Sequence, residues 1–171
     1  MHVILVAQVW QVVFRLVGEF SMQLTQFSDY ALRTLIYIAT KGEVCTITEI
    51  AESYQISRHH LVKVVHKLGQ LGYLTTIRGK SGGIELSKSP KQINIGELIQ
   101  KTEPNFRLVE CIDNPNGTCC IIPVCKLKKI LEEAKKAFLT NLNQYTLADI
   151  TTNKKTLAQH LKIIRFQAKK N

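Results

Sequence analysis

Ser57-Arg-His-His-Leu-Val-Lys-Val-Val-His-Lys-Leu68 decides the fold. Leu61, Val64, Val65 and Leu68 recur at steps of three and four, which makes one apolar stripe on a helix. Arg58, His59, Lys63, His66 and Lys67 fall mostly on the other side, and Ser57 stands where a capping hydroxyl is wanted. Upstream, Thr46-Ile-Thr-Glu49 is a capping box opening a short helix to Tyr54, with Gln55-Ile56 as the turn. A short helix, a tight turn and a second helix with a cationic outer face make a helix-turn-helix. Arginine can fork onto guanine and lysine can neutralise phosphate. Ser57, Arg58, His59, His60, Lys63 and Lys67 are therefore the expected DNA contacts of this helix.

Working outward, Leu24 to Thr40 carries Phe27, Ala31, Leu35, Ile36 and Ala39 at helical spacing, and Gly42 ends that first helix. Downstream, Thr75-Thr-Ile-Arg78 and Ile84-Glu-Leu86 alternate as strands around Gly79-Lys-Ser-Gly-Gly83, a β-hairpin placed as the wing of a winged helix. Arg78 and Lys80 flank its turn, where glycine lets backbone approach a phosphate. Asn94-Ile-Gly-Glu97 starts another short helix to about Lys101, closed by Pro104. Residues 105–125 read as loop. Leu127, Ile130, Leu131, Ala134, Phe138, Leu142 and Tyr145 give a long amphipathic helix from Lys126 to Tyr145. Its apolar face is too large for a small wing domain to cover, so a partner helix is expected, with packing back on its own domain as the alternative.

The fold expected is mainly α with a small β-hairpin wing. Residues 22–101 form the winged helix-turn-helix, 102–125 a cysteine-rich loop, 126–150 the dimerisation helix and 151–171 a polar, frayed basic tail. Residues 1–21 are apolar but interrupted by Gln8, Gln11, Arg15 and Glu19, so they suit neither a membrane span nor a signal peptide. They read as a mis-called start or a loose extension before Met22, and the expected address is the cytoplasm. The net charge of +10, from 23 Lys and Arg against 13 Asp and Glu, points to a polyanionic partner. Residues 126–171 hold eleven of those cations and three acids, which suits either a solvated helix face or phosphate contact. No nucleophile–base pair, Walker loop or dinucleotide fingerprint is visible, so no enzyme is expected.

Of five cysteines, Cys111, Cys119, Cys120 and Cys125 lie within fifteen residues, and Cys45 stands apart. A reducing cytoplasm argues for metal or redox chemistry over disulfides. Seven residues separate Cys111 from Cys119 and five separate Cys119 from Cys125, spacings unlike a typical zinc knuckle or ferredoxin. Three thiolates on a loop with Pro115, Gly117 and Pro123 can still surround a cluster. Cys120 reads as a bystander, because adjacent side chains rarely both reach one centre, and Cys45 as an ordinary semi-buried thiol. The fourth ligand is open: Asp113 is the local choice and Asp29 the remote one.

Met22-Gln-Leu-Thr-Gln-Phe-Ser-Asp-Tyr-Ala-Leu-Arg33, Ser57-Arg-His-His-Leu-Val-Lys63, Arg78-Gly-Lys-Ser-Gly-Gly-Ile84, Cys119-x5-Cys125-Lys-Leu-Lys128 and Tyr145-Thr-Leu-Ala-Asp149 closely resemble the NsrR group of regulators, kin to the iron–sulfur regulator IscR. The resemblance covers roughly residues 22–150. It implies a homodimeric winged-helix repressor, sensitive to nitric oxide, on double-stranded DNA with a pseudo-palindromic operator. It implies an iron–sulfur cluster, [2Fe–2S] or [4Fe–4S], on Cys111, Cys119 and Cys125. The fourth ligand maps to Asp29 from the partner's first helix, with Arg33 pairing with it. Lys128 stands where the IscR histidine would be, a departure that favours the nitric-oxide sensor. The alternatives are an iron- or redox-sensing regulator of the same architecture, a zinc-stabilised regulator and, from another class, an electron-transfer protein.

Overall fold

The computed structural model describes residues 23–106, 108–112, 114 and 118–163. Helix α1 spans Gln26–Lys41, capped by the Thr25 hydroxyl, which accepts from Ser28 N, and ended by Gly42 in the left-handed region at φ 71°. Ala31, Leu35 and Ile38 on its inner face are buried. The capping box at Thr46 is fully made: Glu49 N donates to Thr46 Oγ1 at 3.2 Å and Thr46 N donates to Glu49 Oε2 at 2.6 Å. It opens α2, Ile47–Tyr54. Gln55 then turns the chain at φ 54° into α3, Arg58–Gln70. Leu61, Val64, Val65 and Leu68 are all buried, as the periodicity requires. Ser57 occupies the N-cap position of α3 without a side-chain capping bond, contrary to expectation. Backbone satisfies that turn instead: His60 N and Leu61 N both donate to Ser57 O.

Strands β1, Leu74–Ile77, and β2, Gly83–Leu86, pair antiparallel with Thr76 opposite Ile84. Cys45 adds a short third rung, donating its N–H to Ile84 O at 3.0 Å and accepting from Ile84 N at 2.8 Å. That rung sews the wing to the turn before α2. It also explains Gly83, where a Cβ would stand 2.4 Å from Cys45 O. Helix α4, Ile95–Thr102, starts on the Asn94 side chain, which accepts from Glu97 N.

Helix α5, Lys126–Leu142, stops three residues short of the expected Tyr145, and none of its residues is buried. The chain then folds back. Ile95 N donates to Tyr145 O at 2.9 Å and Leu147 N donates to Ile93 O at 2.8 Å. Helix α6, Leu147–Ile150, places Leu147 in the core at 0% exposure. Residues 143–150 therefore belong to the body, and the stretch 126–150 is not one helix. Nor is the segment after it frayed over 154–161: α7, Lys154–His160, is helical, Leu161 is buried, and Ser53 Oγ donates to Leu161 O at 2.7 Å. Leu157 and Leu161, four apart, are the signal that polar neighbours obscured. The expected extension at 1–21 and the last eight residues of the tail lie outside the described residues.

The joint between α4 and α5 is tight. A Cβ on Gly96 would lie 2.2 Å from Asn143 Oδ1 and 2.8 Å from Asn143 N. The backbone neighbour cannot move aside as a side-chain tip can. Gly96→Ala is expected to cost about 1–3 kcal/mol of overpacking, read as a lowered denaturation midpoint by circular dichroism. An unchanged midpoint would mean the joint is loose.

Candidate functional site

The helix-turn-helix supplies one exposed face. Ser57, Arg58, His59, His60, Lys63 and Lys67 are all exposed, as are Arg78 and Lys80 at the wing turn. Burying the Leu61 stripe against α1 and α2 forces the polar stripe outward, because both lie on one 3.6-residue helix. The wing turn is made by Gly79 at φ 111° and by Gly82, where a Cβ would sit 2.4 Å from Ile77 O. The Ser57 hydroxyl is not used in capping and remains exposed. Cations on α5 are in part paired along their own helix, Lys128 with Glu132 and Lys129 with Glu133, each at 4.0 Å. Such i,i+4 pairs are ordinary on an exposed helix face.

A second constellation sits on α1. Arg33 forms a two-point ion pair with Asp29, Nε to Oδ1 at 2.9 Å and Nη2 to Oδ2 at 2.7 Å. The Arg33 guanidinium also lies 6.0 Å from the Tyr30 ring centroid and 5.8 Å from that of Tyr54. Burial pushes the Tyr54 hydroxyl up to about 12, so the ring stays neutral beside the cation. Tyr30 in turn meets the His60 ring, centroids 6.4 Å apart, in the first turn of α3. Asp29, Arg33, Tyr30 and His60 thus form an unbroken line of contacts from α1 to the exposed helix. Tyr30 and Tyr54 escaped sequence reasoning because an aromatic at helical spacing looks like ordinary core.

The cysteine segment leaves the body at the C-terminus of α4. Glu103 Oε1 accepts from Thr25 N at 2.8 Å and from Thr25 Oγ1 at 3.1 Å, which ties the root of the segment to the start of α1. Ser28 Oγ donates to Thr102 Oγ1 at 2.8 Å beside it. Two single-turn 3-10 helices, Glu110–Ile112 and Ile122–Val124, shape the segment, and Phe106 packs on Phe138 of α5 at 6.4 Å. Cys111, Cys119, Cys120 and Cys125 are free thiols and none is buried. Cys45 differs: it is buried, its Sγ lies 3.8 Å from Ile84 O, and burial pushes its thiol up to about 12. A thiol held protonated is a poor ligand, so the segment's cysteines are the chemically suited donors. Among the described residues no group of three or more His, Cys, Asp or Glu side chains converges closely enough to hold a metal ion. The donors suit an iron–sulfur group in kind. Asp113 lies outside the described residues.

Among the described residues no helix is long and apolar enough to cross a membrane. The Rrf2 family, described as an iron-dependent transcriptional regulator, matches residues 24–153. The chain is 50% identical over 144 residues to the HTH-type transcriptional regulator NsrR of Bacillus subtilis (strain 168), a match covering 83% of this chain and 99% of the relative. It is 52% identical over 134 residues to the regulator of that name from Bacillus licheniformis, covering 77% and 94%. Its fold matches that of T. potens IscR with a TM-score of 0.64 at 20% identity, over 82% of this chain and 93% of that one. These relatives are regulators of transcription, not enzymes. With a winged helix-turn-helix at its centre, the chain belongs to the Rrf2 family of transcriptional regulators, alongside the NsrR proteins.

Proposed function

We propose that this regulator is a DNA-binding repressor, working as a homodimer, whose iron–sulfur cluster senses nitric oxide and controls genes of nitrosative stress. The reading is carried by the line of contacts from Asp29 through Arg33 and Tyr30 to His60, which joins a potential ligand to the exposed basic helix. Ser57, Arg58, His59, His60, Lys63 and Lys67 would enter the major groove, with Arg78 and Lys80 on flanking phosphates. Two copies would pair through the apolar face of α5, where Leu127 is 59% exposed, continuous with Val124 at 79% in the preceding turn. Their recognition helices would then meet successive major grooves about 34 Å apart on a pseudo-palindromic operator.

Cys111, Cys119 and Cys125 would hold the cluster, with Asp29 of the partner completing it. When bound, the group would supply iron at which a diatomic gas can react. The chain's residues do the rest. Arg33 holds the Asp29 carboxylate in an ion pair, so a carboxylate serving the group would be drawn away from Arg33. Tyr30 and His60 lie next in line, and a change at Asp29 would reach the recognition helix through them. The name of the family, an iron-dependent regulator, supports a second reading in which iron or redox state is the signal. Anaerobic titration of the operator complex with nitric oxide, then with an iron chelator, separates the two. Release at a few molecules of nitric oxide per cluster supports the first; release by chelator alone supports the second.

The DNA half of the proposal has its own test. Affinity should fall with salt at a log–log slope of about −4 to −8, the range for a dimer making that order of phosphate contacts. Lys80→Ala should weaken operator and random duplex alike. Arg58→Ala should cost about 1–3 kcal/mol on the operator and far less on random DNA. A flat salt response would remove the DNA-binding reading.

A further inference from the structure

Val62 is out of place. It is 42% exposed on α3, whose other apolar residues Leu61, Val64, Val65 and Leu68 are buried. Among the described residues the other large exposed hydrophobics all lie between Leu108 and Ile150, on the cysteine segment, α5 and the return into α6. A β-branched residue on a water-facing helix position is a poor choice for the helix itself, where lysine or glutamate costs less. A protein partner does not explain it, because a docking patch needs several apolar neighbours and Val62 has cations instead. Arg58 stands one turn before it and His66 one turn after, so the three share one line along the helix, with Lys63 beside them.

A single methyl-bearing side chain amid groups that bind phosphate and base edges suits one feature of the major groove. Thymine alone among the four bases presents an apolar group there, its C5 methyl. We infer that Val62 is a specificity-determining residue that packs on a thymine methyl within each half-site. The inference rests on the DNA-binding reading above and refines it. Four residues of helix advance about 6 Å, close to two base-pair steps. The thymine should therefore lie one or two base pairs from the base that Arg58 reads.

The test replaces thymine by deoxyuridine, which deletes the methyl and leaves every hydrogen-bonding group in place. Duplexes are first selected from a random pool by the full chain, purified anaerobically. Each thymine of the half-site is then changed to deoxyuridine, in both half-sites together, and affinity is measured for wild type and Val62→Ala. Burying one methyl group on each side of the dyad should be worth about fourfold per half-site. With both half-sites changed, the wild type should lose about sixteenfold at one position, and Val62→Ala should bind both duplexes equally there. Circular dichroism should show Val62→Ala as folded as wild type, since the side chain is exposed. The proposal is overturned if wild type tolerates deoxyuridine at every position, or if Val62→Ala still loses affinity at the same thymine. If the pool yields no selected sequence although the chain binds duplex, base reading by α3 fails, and Val62 with it. If the chain binds no duplex, the DNA-binding reading itself has failed.

Discussion

Cys119→Ala, prepared anaerobically, is expected to lack the visible absorption of an iron–sulfur cluster, and Cys111→Ala and Cys125→Ala to lack it equally. The effect should be all-or-none, because the proposed cluster takes all three of these thiolates. Cys45→Ala should keep the chromophore, since its thiol is buried, held protonated and hydrogen-bonded towards Ile84 O. Cys120 is the stricter control: it is as exposed as Cys119 and adjacent to it. Loss of colour in Cys120→Ala with retention in Cys119→Ala would reassign the ligand within that pair. A colourless wild type that holds zinc would move the whole segment to a structural metal. The cluster-free variants should remain folded, because the hydrophobic core contains none of the three cysteines. Their operator affinity should match that of wild type after nitric oxide.

Asp29→Ala should uncouple the sensor from the DNA-binding domain. Three thiolates leave one position to fill, and a carboxylate is a harder, more weakly held ligand for iron than a thiolate. The variant should assemble a cluster that is lost faster on exposure to chelator. It should also bind operator about 5- to 150-fold more weakly before any nitric oxide is added, the usual span of coupling between sites. Unfolding does not account for such a loss. The Asp29–Arg33 pair is about 40% exposed on both sides, and a pair so open to solvent is worth well under about 1 kcal/mol. Arg33 would still lie against Tyr30 and Tyr54. Asp113→Ala should behave as wild type. If Asp113→Ala is the impaired variant and Asp29→Ala is normal, the cluster is closed within one chain and the cross-subunit ligand is wrong.

The sequence alone determined the winged helix-turn-helix, because each of its devices is local. The Thr46 capping box, the Gly42 stop, the Leu61–Leu68 stripe and the glycine-rich wing turn act within a few residues, so spacing suffices to read them. Opposition of faces also follows from sequence: once Leu61, Val64, Val65 and Leu68 are buried, the cations must point outward. The spacing of the thiols raises the expectation of metal chemistry in the cysteine segment, but it carries no geometry. Other things were decided only in three dimensions. The return of residues 143–150 depends on Ile95 N and Leu147 N finding partners some fifty residues away in the chain, which no periodicity encodes. The helix at 154–160 exists because Leu157 and Leu161 find α1 and α2 to pack on; alone, seven residues are too short to be helical. The contacts of Asp29, Arg33, Tyr30 and His60 join two helices whose separation is set by the core between them. Spacing already leaves Val62 off the Leu61–Leu68 stripe, and only packing sets how much of it faces solvent, 42%.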